Sequence, residues 1–142
     1  MKIKYGISML AFLLIFAVSM TSLVFGQEQA EPQEATKFSI SKIVIAGDVQ
    51  DREPVGVAEI FPASTEKVYC FIEATNISEN TEATFVWYHE GKEMRTFTLP
   101  LIQGQRWRTF AYKNLYGQMG NWKVEIRNPA GNSIESISFK VE

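Results

Sequence analysis

A single cysteine, Cys70, and a single histidine, His89, stand in 142 residues. One cysteine excludes an internal disulfide framework, and one histidine excludes a histidine-rich metal site. Basic residues are also short: 14 against 16 acidic over the whole sequence, and 12 against 16 once the first 26 residues are set aside. A nucleic-acid binder carries a basic patch or stripe, so that class of partner is not expected. No apolar repeat of helical period and useful length follows residue 26, and no internal repeat or change of composition marks a second domain. Domains usually run about 100–150 residues, so residues 37–142 are read as one domain that folds without disulfide, metal or cofactor.

Residues 1–26 read differently from the rest. Met1-Lys2-Ile3-Lys4 is a short basic start, and an almost wholly apolar run from Ile7 to Val18 follows. Ser19, Thr21 and Ser22 then lower the hydrophobicity before Val24-Phe25-Gly26. That order is the pattern of a secretory signal peptide with cleavage before Gln27. Residues 27–36, polar and acidic, read as a linker. The alternative is an uncleaved anchor, because residues 7–25 approach the length of about 20 that a membrane helix needs. Such an anchor would be the only membrane contact. Either way the expected location is periplasmic or extracellular.

What the rest of the chain has is period-two alternation of β-branched and aromatic residues, the strand signal. A first strand is expected over residues 38–46, where the switch from Phe38 and Ile40 to Ile43 and Ile45 requires a bulge. A polar stretch (47–56) and a short apolar run (57–61) come next. Val68, Cys70, Ile72 and Ala74 share one face of a central strand, with Tyr69 and Phe71 on the other, so both faces are partly covered. Residues 84–89 and 92–99 read as a hairpin around Glu90-Gly91, with Pro100 as its end. Residues 106–112 are extended. Trp122, Val124 and Ile126 then alternate with Lys123, Glu125 and Arg127, and Asn128-Pro129-Ala130-Gly131-Asn132 turns the chain into a last strand over 134–141. These signals predict an all-β fold, an antiparallel β-sandwich of about seven strands.

Asp51-Arg52-Glu53-Pro54-Val55-Gly56, Lys67-Val68-Tyr69-Cys70-Phe71, Val86-Trp87-Tyr88 with Gly91-Lys92, Trp107-Arg108-Thr109, Gly120-Asn121-Trp122-Lys123-Val124 and the closing Phe139-Lys140-Val141 occur in that order. As an ordered set they resemble DUF2914, a family of bacterial exported or membrane-attached domains of unknown function, over residues 37–142. The resemblance implies a bacterial source and an Ig-like sandwich, and it supplies no activity. One departure stands out: the family often has a histidine two residues before the tryptophan of the strand around Trp87, and here Phe85 takes that place. The last hairpin also looks like the closing hairpin of many extracellular Ig-like modules, which bind or space other domains.

Chemistry-bearing residues are few. His89 is the one imidazole available to a nucleophilic mechanism, and no nucleophile is evident beside it. Cys70, amid Val68 and Ile72, reads as a small core side chain. Asp48, Asp51 and Glu53 offer oxygen ligands for a cation, but Arg52 interrupts them and the spacing is not that of a calcium loop, so no metal is expected. The leading candidates are aromatic and basic: Tyr88, Arg95, Arg106, Trp107, Arg108 and Tyr112. An exposed stripe of these residues on one sheet would bind an anionic or sugar-like surface. The competing structural role is pairing of the arginines with glutamates across strands. The functional expectation is a non-catalytic interaction or accessory module of the bacterial cell envelope that binds protein or glycan. The second reading is a small hydrolase acting on envelope carbohydrate.

Overall fold

Alternation sorts the chain into strands, and backbone pairing then sorts the strands into two sheets. The computed structural model describes residues 37–142, and the expected signal segment and linker lie outside them. The described residues form nine strands and no helix: β1 (Ser39–Gln50), β2 (Glu53–Val57), β3 (Ile60–Phe61), β4 (Lys67–Ile77), β5 (Thr81–His89), β6 (Lys92–Leu101), β7 (Gly104–Asn114), β8 (Gly120–Arg127) and β9 (Ser133–Val141). One sheet has the order β2-β1-β4-β7 and the other β3-β9-β8-β5-β6. Every pairing is antiparallel except the short β3–β9 contact, which is parallel. The result is an Ig-like β-sandwich.

The bulge in β1 falls between Ile40 and Lys42. It flips parity, so that Ile40, Ile43 and Ile45 all pack toward the core. From the facing sheet come Phe85, Trp87, Trp122, Val124, Ile126 and Phe139, all buried. Trp122 and Phe139 stack at 6.0 Å with an interplanar angle of 14°. Trp87 meets Phe139 edge-on. Phe71 is also buried, but on the outer face of its sheet, beside Phe110 across the β4–β7 register and under Lys42.

Two features depart from the sequence expectation. The polar stretch 47–56 is not a loop: β1 continues to Gln50 and pairs with β2 around a two-residue turn. Asp51 and Arg52 take positive φ there (49° and 61°), the conformation tight hairpins demand, without the glycine that would have announced it. Pro100 does not end its strand but sits inside β6. It is tolerated because β6 is an edge strand, where a missing N–H costs no ladder bond. The expected hairpin at Glu90-Gly91 does form, with both residues at positive φ.

The two sheets are arranged so that edge strands β6 and β7 approach each other along one side of the sandwich. The other side is closed by β1 against β9. That open side is where the site lies.

Candidate functional site

Along β7 the odd residues Trp107, Thr109, Ala111 and Lys113 face the core, while Arg106, Arg108, Phe110 and Tyr112 face outward. Lys113 therefore occupies a core position and is 7% exposed. Its Nζ donates to the carbonyl of Asn114 at 2.6 Å and lies 5.1 Å from the Tyr116 ring and 5.6 Å from the Trp122 ring. Removal from water disfavours the ammonium and holds its pKa below the ordinary lysine value, with Arg95 adding like-charge repulsion.

Arg95 reaches the same place from β6. It pairs in register with the core residue Trp87, and its guanidinium lies 4.5 Å from the Phe97 ring. Together Arg95, Phe97, Tyr112, Lys113, Asn114 and Tyr116 line a recess of 100 Å³. Among the described residues no carboxylate lines it. Among the described residues neither Arg95 nor Lys113 makes an ion pair, whereas Arg106, Arg108, Lys123, Arg127 and Lys140 all do. Two like charges that share the recess repel each other.

The loop between β7 and β8 forms the outer wall and is held at several points. Leu115 is buried and its N–H donates to the carbonyl of Glu66 at 2.8 Å. The Trp122 indole donates to Gln118, and His89 Nε2 donates to the carbonyl of Met119 at 2.7 Å. His89 also lies against Trp122, with ring centroids 4.5 Å apart. The one histidine is thus committed to holding this loop. On it Tyr116 stands 78% exposed at φ 49°, a conformation uncommon for a residue with a bulky side chain. On the far side of Asn114 and Tyr116 a second hollow of 320 Å³ opens, lined also by Ser64, Thr65 and Glu66.

The six residues singled out from sequence are divided by the fold. Arg95 and Tyr112 share the recess. Tyr112 is 48% exposed, with Lys67 Nζ 5.2 Å from its ring. Arg108 pairs with Glu73 directly across from it on β4, at 2.9 Å, and with Glu53 on β2. Arg106 stands 3.9 Å from the same Glu73. Trp107 is half-buried against the core. Tyr88 lies on the other sheet, where its hydroxyl accepts from Arg127, itself bonded to Glu125. The expected single stripe is therefore three groups, because β5 and β6 pair in the sheet that does not contain β7.

Asp48 accepts hydrogen bonds from Val49 N–H and Gln50, and Glu53 is occupied by Arg108. Among the described residues no three metal-ligating side chains cluster. Burial pushes the Cys70 thiol far up. Sequence reasoning missed Lys113, Asn114, Tyr116 and Phe97. Lys113 had a signal: it continues the inward parity of Trp107 and Ala111, where a lysine is out of place.

Residues 80–141 match a protein family of unknown function. That family is DUF2914. The matched stretch runs from β5 through β9 and holds Arg95, Phe97, Tyr112, Lys113 and Tyr116. Strands β1 to β4, which complete the sandwich around this DUF2914 segment, precede it. No curated protein matches the chain. Among solved structures, a β-glucosidase from Kluyveromyces marxianus is similar over 75% of this chain at 12% identity, with a TM-score of 0.46. A mutant β-glucosidase from Listeria innocua in complex with laminaribiose is similar over 76% at 8% identity, with a TM-score of 0.48. The chain spans 14% and 16% of those two enzymes, respectively. Likeness at that level assigns no activity to this chain.

Proposed function

We propose that the protein is a non-catalytic interaction module of the bacterial cell envelope, which holds a protein or glycan partner in the cleft between β6 and β7. The observation that carries this reading is the pairing of Arg95 with Lys113, two cations facing one recess that no carboxylate lines among the described residues. A buried cation without a counter-charge destabilises the fold, so its presence is best accounted for by something it binds. Exposed Tyr112 and Tyr116 beside it supply the amphipathic rings that recognition surfaces favour. An envelope location is supported by the signal-like pattern of residues 1–26.

The hydrolase reading requires two carboxyls, or an imidazole and a hydroxyl, converging on a ligand. His89 is engaged with Met119 and Trp122, and among the described residues Glu66 is the one acid lining either hollow. No observation favours hydrolysis over binding.

The test is retention of components from an envelope extract by the immobilised protein and by its Arg95→Gln and Tyr116→Ala variants. A component held by the parent and lost from both variants is the expected result. Equal retention by all three, or release of soluble sugar from envelope glycan that cleft substitutions abolish, refutes the proposal.

A further inference from the structure

Two hollows adjoin at Asn114 and Tyr116: the recess between β6 and β7, and a larger one between the segment before β4 and the loop after β7. Small-molecule pockets usually begin at about 300 Å³. The 320 Å³ hollow meets that size, whereas the 100 Å³ recess suits one charged group rather than a whole ligand. Asn114 and Tyr116 line both, so a ligand spanning the two would put its charge among Arg95 and Lys113 and its body beside Tyr116. The recess is cationic and aromatic, which selects an anion attached to something with an apolar face. Ser64, Thr65 and Asn114, which carry hydroxyl and carboxamide groups, are among the residues that line the mostly apolar hollow, a mixture that suits a body with an apolar face and hydroxyl groups. A pyranose ring has such a body, apolar on its face and hydroxylated on its rim.

Resting on the interaction-module reading above, we infer that the cleft binds a carboxylate-bearing sugar, a uronic-acid unit of an acidic glycan. The carboxylate enters the recess, where Arg95 offers a two-pronged donor and Lys113 a point charge. The sugar ring lies against Tyr116. The loop that carries Tyr116 is already fixed by Leu115, Trp122 and His89, so little ordering is needed on binding. Glu66, on the far wall of the hollow, disfavours a second carboxylate there and so favours one acidic unit at a time.

Calorimetric titration of the full chain with a uronic-acid trisaccharide, its methyl ester, and a short peptide with a free C-terminal carboxylate tests this. The acidic trisaccharide is expected to bind at least tenfold more tightly than its ester. Its affinity should weaken as salt rises from about 50 mM to about 300 mM, as a contact between charges requires. Arg95→Gln and Tyr116→Ala should each lower the affinity at least tenfold, and Lys113→Met should do so while keeping the chain folded. Equal binding of acid and ester overturns the inference, as does an unchanged affinity for Tyr116→Ala. Preferential binding of the peptide assigns the recess to a chain terminus and overturns it too. If no sugar binds but an envelope component is still lost from Arg95→Gln, the uronate inference fails and the interaction module stands. If that component is also indifferent to Arg95, both fail.

Discussion

Lys113 shows how a single residue records a conflict between stability and binding. Its position belongs to the core, yet its group is charged, and the bond to Asn114 and two ring contacts offset only part of the desolvation. Lys113→Met should therefore raise stability at neutral pH by about 1 kcal/mol, read from chemical denaturation. The sign of the pH dependence follows from the direction of the shift. A lysine whose folded pKa is lowered binds its proton less well in the folded state, so its penalty is complete below the folded value. The penalty fades as pH rises toward the unfolded value of about 10.4. The advantage of the methionine variant should shrink over that interval. The tryptophans offer a second comparison. Trp122 donates its indole N–H to Gln118, while the buried Trp87 Nε1 has no hydrogen-bond partner among the described residues. Trp122→Ala should cost about 3–5 kcal/mol, the usual result of deleting a large buried aromatic. Trp87→Phe should cost less than Trp122→Phe, because it removes an unsatisfied donor rather than a satisfied one.

At the level of the element, β4 and β7 are joined by more than their backbone ladder. Glu73 accepts from Arg108 and from Ser41, and the Arg108 hydrogen bond is the largest cause holding its carboxyl below the ordinary glutamate range. A carboxylate with a depressed folded pKa adds stability that is present above its unfolded value, about 4.3, and lost as pH falls through the folded value. Glu73→Gln should flatten that acid limb of the stability profile and leave the curve between pH 6 and about 8 parallel to the parent's. An identical acid limb in both proteins would remove the pair from the account. Local signals made β8 and β9 readable in advance, since Trp122, Val124 and Ile126 alternate cleanly and Gly131 supplies the left-handed turn residue. The β1–β2 hairpin was not readable, because Asp51 and Arg52 adopt positive φ without glycine. Nor was the run of β6 through Pro100, since only the sheet order reveals that β6 is an edge.

For the molecule as a whole, Cys70 is a reporter of global opening. It is fully buried in the central strand of its sheet, and burial suppresses the reactive thiolate. Its labelling by a thiol reagent should therefore track global unfolding, with a rate that rises with denaturant in step with loss of tryptophan fluorescence. Fast labelling under native conditions would show a local opening of β4 instead. Alternation along the chain determined the all-β class, the bulge in β1 and the inward set from Val68 to Phe139, because the side-chain period of a strand is local and two residues long. It also put Arg106 and Arg108 opposite Trp107 on β7. Tertiary structure alone decided that Arg106 and Arg108 spend their charge on Glu73 and Glu53 while Arg95, from another sheet, meets Lys113. Sheet membership depends on hydrogen bonds between strands far apart in sequence, and no local pattern encodes which edges will face each other.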